Sequence, residues 1–175
     1  MTPDIPRPVL KGKKALVIGV ANDSSIAYGC AKAFRELGAD VAITYLNDKA
    51  KPHVEPLARE LEASLFLPLD VAVPGALERV FEEVAAKWGK LDILVHSIAF
   101  APKEDLQGGL LNCSADGFAK AMDVSCHSFV RMAKFAAPLS PWIYHSTTRP
   151  QSRFRTSKTY SPSATVCSAT PCAPP

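Results

Sequence analysis

The sequence predicts an α/β fold, a doubly wound parallel sheet of Rossmann type, and two observations carry that expectation. Along residues 1–139, short and continuously apolar β-branched runs alternate with longer amphipathic stretches. That is the pattern of strands buried on both faces and joined by right-handed helical crossovers. The first apolar run ends in Gly19, and a polar turn then leads into a helical pattern. Open sheets of this class place their ligand crevice at such a strand carboxyl end.

The elements follow in order. Ala15-Leu16-Val17-Ile18-Gly19 reads as the first buried strand. Residues 26–37 read as a helix, because Ile26, Cys30, Ala33 and Leu37 recur three or four apart and Gly38 supplies a stop. Val41-Ala42-Ile43-Thr44-Tyr45 is the second strand, and residues 50–62 form the second helix, with Pro52 and Pro56 disturbing its first turns. Leu65-Phe66-Leu67-Pro68-Leu69 is the third strand. Residues 76–88 form a helix with Leu77, Val80, Phe81 and Val84 on one face, and residues 91–95 form the fourth strand. A Pro/Gly-containing loop precedes a long helix over residues 114–137, with Phe118, Met122, Phe129 and Met132 among its apolar positions. The sheet is thus expected to be incomplete after the fourth strand and the long helix.

The 175 residues suit one domain with a real core. The net charge of +3 is small and unevenly placed. Arg149, Arg153, Arg155 and Lys158 stand in the tail without any Asp or Glu, whereas charges before residue 140 nearly cancel. No basic stripe lies on an ordered element, which argues against nucleic acid. No apolar run reaches the length of a membrane span. Cys30, Cys113, Cys126, Cys167 and Cys172 form no Cys-x-x-Cys pair and have no His at metal-ligand spacing. With no signal peptide in evidence, reduced thiols and a cytoplasmic location are expected, and no metal.

Residues 140–175 read differently. They are rich in Ser, Thr and Pro and contain no Gly, Leu, Asp or Glu. Neither helical nor strand periodicity survives, so a disordered tail is expected. The break falls inside a regular βα alternation, which suggests a change of reading frame near Leu139. A genuine disordered tail is the alternative.

The turn Gly19-Val20-Ala21-Asn22-Asp23-Ser24-Ser25-Ile26-Ala27-Tyr28-Gly29 carries most of the functional signal. Gly19 can make the tight turn, Asn22, Asp23 and Ser24 can bond nearby backbone, and Ser24 or Ser25 can cap the helix. A helix N-terminus just past a strand end suits a pyrophosphate. The generic Gly-x-Gly-x-x-Gly fingerprint is absent, so an ordinary capped βα turn stands as the alternative reading of the spacing. Asp70, at the third strand's end, can be a ligand acceptor or a loop-opening cap. His96 reads as a satisfied core histidine.

Together, these motifs resemble one family. Residues 19–29 are similar to the extended Gly-x-Ala-x-x-x-Ser-Ile-Ala-x-Gly turn of bacterial enoyl-acyl carrier protein reductases, a branch of the short-chain dehydrogenase/reductase superfamily. The resemblance continues through Thr44-Tyr45-Leu46-Asn47-Asp48, Leu69-Asp70-Val71, Leu94-Val95-His96-Ser97-Ile98-Ala99-Phe100-Ala101 and Asp123-Val124-Ser125-Cys126-His127-Ser128-Phe129. It covers residues 10–139, about three quarters of the chain. The resemblance implies hydride transfer from NADH to a 2,3-unsaturated acyl thioester in type II fatty acid synthesis, with an acyl carrier protein-linked substrate and a homotetrameric assembly. It implies that Gly19, Ser25 and Ile26 lie against pyrophosphate and ribose, Asp70 and Val71 against adenine, and Ser97 and Ile98 near the nicotinamide. Ala101 would border the acyl chain. Leu46 stands where the family commonly has Gln beside the adenosine ribose, and with no Arg nearby NADH is favoured over NADPH.

The same resemblance exposes a gap. The family uses a Tyr as proton donor, a Lys seven residues later, and a second Tyr ten residues before the first. The matching positions here are Ser152, Pro162 and Ala169, in the order second Tyr, donor Tyr, Lys. No shifted pair replaces them, since Tyr144 is followed seven residues on by Gln151 and Tyr160 by Cys167. No catalytic residue is therefore assigned, and little or no turnover is expected. The rival readings are a non-catalytic nucleotide-binding fragment and a short-chain dehydrogenase acting on a ketone or alcohol. The fourth strand is expected to be an exposed edge, and the long helix to present an uncovered subunit-packing face.

Overall fold

The computed structural model describes residues 8–107 and 109–140; beyond Ser140, the expected tail and frame change lie outside the described residues. Among the described residues four strands form one parallel sheet: β1 (Lys14–Ile18), β2 (Asp40–Tyr45), β3 (Leu65–Pro68) and β4 (Ile93–His96), in the spatial order β3-β2-β1-β4. Ala15 lies beside both Val41 and Ile93, and Ala42 lies beside Leu65. The crossovers are α1 (Ile26–Glu36), α2 (Lys51–Glu60) and α3 (Ala76–Trp88).

Alternation along the strands divides the core between the two faces of the sheet. Leu16, Ile18 and Ala42 pack with Leu77, Val80, Phe81 and Val84 of α3. Val17, Val41 and Ile43 pack with Ala27 and Ala31 of α1 and Val54 and Ala58 of α2. Both sides of β1 and β2 are therefore dry, which is why their sequences read as unbroken apolar runs. Each fully buried Leu, Ile or Val contributes roughly 1.5–3 kcal/mol relative to exposure.

Local chemistry sets the helix ends. Ser25 caps α1, its hydroxyl accepting the Tyr28 N–H at 3.3 Å, and Gly38 leaves the helix with φ of 93°. α2 starts with Pro52 in its first turn, where no intrahelical N–H is needed, and continues through Pro56. It stops at Glu60, two residues earlier than the sequence suggests, because Glu62 takes a left-handed φ of 48°. β4 begins at Ile93 rather than at residue 91, because the Leu91 N–H bonds the Leu139 carbonyl at 2.8 Å and not a strand of the sheet.

The segment after β4 departs further from expectation. The loop contains a short helix, α4 (Lys103–Gln107), that periodicity does not signal. The predicted long helix is broken into α5 (Ala115–Met122), a π-helical turn (Asp123–His127) and α6 (Ser128–Ala136), and it ends in a 3₁₀ turn (Ala137–Leu139). Asp105 of α4 accepts the Ser114 N–H at 2.6 Å and lies against Gly117, where a Cβ would fall 1.8 Å from its carboxylate. Of the four apolar positions expected along this helix, only Met132 enters the core, while Phe118, Met122 and Phe129 are exposed with Val130. The π turn shifts the helical phase, so the residues facing the sheet are Val124, Ser128, Met132 and Ala136, each four apart.

Two polar groups fasten this arrangement. The Asp92 side chain is 5% exposed; it accepts the Lys14 N–H at 2.9 Å and pairs with Lys13 and Lys90 at 3.2 and 3.4 Å. Burial works against the carboxylate, but the Lys14 N–H and the two ammonium groups outweigh it and hold its pKa below the ordinary value. It thereby ties the start of β1 to the start of β4. His96 Nε2 lies 2.7 Å from Ser128 Oγ, and that hydroxyl donates to the Val124 carbonyl at 2.6 Å. The serine proton is thus committed, so Nε2 carries the hydrogen and donates to Oγ. Desolvation depresses the His96 pKa, and its ring meets Phe129 edge-on at 5.7 Å. His96 is a satisfied, half-buried histidine that joins β4 to α6.

Asp92→Asn is expected to destabilise the chain by about 1.5–3 kcal/mol in urea unfolding, the worth of hydrogen bonds to a charged group. Lys13→Ala and Lys90→Ala, whose heads are solvated, should each cost under about 1 kcal/mol; equal losses in all three variants would contradict this account. His96 makes stability depend on pH. Its folded-state pKa lies below the unfolded value, so the unfolded chain binds more protons between the two. The contribution is complete above pH of about 6.5 and is lost as pH falls below it towards the folded pKa. Asp92 and Asp123 also have lowered pKa values, but their contributions are lost only below about pH 4. His96→Asn should therefore flatten the slope of unfolding free energy between pH 7.5 and 5.5; an unchanged slope would refute the assignment.

Candidate nucleotide-binding crevice

From β1 the chain steps outward to β2 and then β3, while β4 returns to the opposite side of β1. The strand carboxyl ends therefore diverge between β1 and β4, the topological switch point at which open α/β sheets bind ligands. A cavity of about 440 Å³ opens there, lined by residues that follow β1, β2, β3 and β4 and by Lys120 and Val124. Its size and largely apolar lining are those of a small-molecule site.

Gly19 shapes its floor. Its φ is 105°, and a Cβ at this position would lie 2.0 Å from the Ser97 carbonyl oxygen. Only glycine allows the β1 turn and the β4 loop to touch. Beyond it, Asn22 Oδ1 accepts the Ser24 N–H at 3.1 Å, and Ser25 Oγ donates to the Asn22 carbonyl at 2.7 Å. Between the two serines the sequence left open as caps, the structure selects Ser25. The first turn of α1 holds no acidic residue, so its partial positive charge is not neutralised from within the helix.

The structure brings Gly19, Leu46, Asp70, Val71, Ser97 and Ile98 to one cavity. Asp70 also serves its own loop, with Oδ1 accepting the Ala72 N–H at 2.9 Å. Leu46 is about half exposed at the rim. Ser25, Ile26 and Ala101 are not among the lining residues. The Ser25 hydroxyl is occupied in capping, Ile26 is 79% exposed at the first position of α1, and Ala101 follows the lining residue Phe100. The positions matching the family's Tyr and Lys (Ser152, Pro162 and Ala169) lie outside the described residues.

Sequence reasoning assigned no site role to Thr44, Phe100, Lys120 or Val124, all of which line the cavity. Ser125, in the π turn, accepts the Phe100 N–H at 3.1 Å and donates to its carbonyl at 3.2 Å, fixing the loop after β4 against the helix. Lys120 Nζ sits 5.4 Å from the centre of the Phe100 ring and brings a cation to the cavity wall. The Thr44-Tyr45 run after Ile43 was a readable signal for Thr44. Lys120 offered none, because its direction depends on the packing of α5.

The arrangement can therefore accept an elongated ligand: a glycine floor, a carboxylate after β3, a lysine from α5 and an apolar wall after β4. The family model described as enoyl-(acyl carrier protein) reductase matches residues 19–142. The NADH-dependent enoyl-[acyl-carrier-protein] reductase FabI of Haemophilus influenzae is 46% identical over 130 residues, 74% of this chain and 50% of that protein. FabI of Salmonella typhimurium is 48% identical over 126 residues, 71% of this chain and 48% of its own length. The crystal structure of the Anaplasma phagocytophilum reductase in complex with NAD superposes with a TM-score of 0.72 at 41% identity, covering 78% of this chain and 52% of that one. FabI from Candidatus Liberibacter asiaticus gives 0.73 at 40% identity, covering 77% of this chain and 52% of that one. The chain spans about half the length of the relatives it matches, and it belongs to the enoyl-(acyl carrier protein) reductase family.

Proposed function

We propose that the crevice is the NADH site of an enoyl-thioester reductase and that this chain binds the cofactor with little or no turnover. The observation that carries the reading is the convergence of Gly19, Leu46, Asp70, Val71, Ser97 and Ile98 on one cavity at the switch point. The residues fit the group. Gly19 leaves room for close backbone approach, and the α1 N-terminus, with Ser25 and Ile26, faces the pyrophosphate and its ribose. Asp70 accepts from the adenine amine beside Val71, Leu46 flanks the adenosine ribose, and Ser97 and Ile98 pack near the nicotinamide. Ala101 borders the acyl chain. When bound, NADH supplies the hydride.

Proton delivery is the missing half of the chemistry. With Pro162 in place of the donor Tyr and Ala169 in place of the Lys, neither side chain can donate a proton at the reacting oxygen or hold the nicotinamide ribose, and Ser152 stands in place of the second Tyr. Loss of general-acid help alone costs about two to four orders of magnitude in rate. The substrate class proposed is an acyl carrier protein-linked 2,3-enoyl thioester in the cytoplasm. The exposed Phe118, Met122, Phe129 and Val130 support a homo-oligomer packed through α5 and α6. Among the described residues no helix is long and apolar enough to cross a membrane.

Titrating the full chain with NADH should give saturable binding by cofactor fluorescence. Asp70→Ala should raise the Kd by roughly tenfold or more, and Asp70→Asn, which keeps an acceptor, by much less. An NADH-oxidation assay with an enoyl thioester should run at least about 100-fold below a full-length relative. No saturable binding by the folded chain would sink the cofactor assignment, and turnover at family rates would sink the claim of a disabled site.

A further inference from the structure

Among the described residues that line the crevice, Lys120 is the sole cation and Asp70 the sole carboxylate, and no ion pair joins them. The Lys120 ammonium lies over the Phe100 ring, 5.4 Å from its centre. At an exposed position that contact is weak enough to yield to a better acceptor. Helix packing explains why the lysine is there. Val124, one turn further on, is buried in the cluster that holds Leu69 and Val71, so the face carrying Lys120 is turned towards the end of β3. Both sides of that face are anchored: Asp105 accepts the Ser114 N–H at 2.6 Å, and Ser125 holds both backbone groups of Phe100. Asp70 stands between Leu69 and Val71. Its Oδ1 accepts the Ala72 N–H at 2.9 Å, and among the described residues no cation pairs with it, which leaves Oδ2 to accept from a ligand. Two opposite charges thus share one largely apolar cavity, each without an ionic partner.

We propose that Lys120 is a base-specificity residue of the crevice, donating to adenine N1 while Asp70 accepts from the N6 amine beside it. The inference rests on the assignment of Asp70 and Val71 to the adenine end of a bound dinucleotide. Adenine presents a donor, the amine, and an acceptor, N1, side by side on one edge. A carboxylate can only accept and an ammonium can only donate, so the pair matches that edge. Guanine carries the reverse pattern, an accepting O6 beside a donating N1–H, and would leave both charges facing like groups. Discrimination of this kind is strong, because a site built to hydrogen-bond one edge is left with unpaired polar groups by the other. Of the two ring nitrogens flanking the amine, N7 lies in the ring that bears the sugar and N1 lies away from it. Gly19 and Leu46, assigned to the pyrophosphate and ribose, follow β1 and β2, so a base that reaches Asp70 after β3 carries its remote edge towards α5. A phosphate fits this corner poorly, since it would meet the Asp70 carboxylate and the apolar Val71 and Val124.

Calorimetric titration of the full chain with three ligands tests this role: ADP-ribose, its analogue with C–H in place of N1, and its 2′-phosphate. ADP-ribose should bind saturably, and Lys120→Met should raise its Kd by about tenfold. Lys120→Gln, which keeps an N–H donor, should cost less. Lys120 is exposed, so neither substitution threatens the fold. For the analogue without N1, the parent chain and Lys120→Met should agree within about twofold, because the acceptor that the lysine serves is gone. An ADP-ribose Kd that Lys120→Met leaves unmoved would overturn the proposal while the cofactor site stands. So would an equal loss for ADP-ribose and the analogue, the result expected of a lysine that only steadies the Phe100 loop. A loss several-fold larger for the 2′-phosphate than for ADP-ribose would move Lys120 to the ribose and overturn it too. No saturable binding of ADP-ribose by the parent chain would overturn both this role and the cofactor assignment.

Discussion

The point on which the architecture turns is the contact between the end of β1 and the loop after β4. A Cβ on residue 19 would come within 2.0 Å of the Ser97 carbonyl oxygen, and the backbone there has a φ that side chains resist. Glycine lets the two strand ends close on one another. The Ser97 N–H then bonds the Ile18 carbonyl at 2.9 Å, and β4 takes its place against β1 with Val95 beside Val17. The crevice is a consequence of this closure. It lies where β1 and β4 part, and Asp70 and Ser97 reach it because each follows the carboxyl end of a strand.

A second constraint holds the outer part of the molecule. The helical run after β4 carries two jobs at once: it must cover the α3 side of the sheet and hold the loop that walls the crevice. The π turn at Asp123–His127 reconciles them. It places Ser125 against both backbone groups of Phe100, and one turn later Ser128 meets His96. Because the bulge changes the phase of the helix, Phe118, Met122 and Phe129 turn outward, leaving an apolar surface where a uniform helix would have buried part of it. The groove between α6 and β4 belongs to the same region, so the open edge and the uncovered helix face are neighbours rather than separate features.

Anchoring at the opposite ends of the strands is electrostatic. Asp92 gathers one backbone N–H and two ammonium groups at the amino ends of β1 and β4, and Lys14 bridges to Asp40 at the start of β2. The partners of the buried carboxylate come from two sequence regions nearly 80 residues apart. The lining of the crevice is apolar apart from Asp70, Lys120, Thr44 and Ser97.

The sequence by itself determined the α/β class, the order of the four strands and their helices, and the placement of Gly19, Leu46, Asp70, Val71, Ser97 and Ile98 at strand ends. These are local properties: apolar runs of strand length, a period of three to four residues, and glycines at Gly19 and Gly38 where the backbone turns left-handed. Helix α3 was legible to the residue because Gly75 and Gly89 punctuate it and one face is continuously apolar. Only the tertiary structure decided what depends on contacts between distant segments. Periodicity cannot register a π turn, since one added residue alters direction and not composition. It cannot show that Asp105 will sit over Gly117 or that Lys120 will reach the crevice. The same holds for the edge of β4, whose availability depends on which strand pairs with β1. Local sequence sets what each segment is, and packing sets which way each side chain faces.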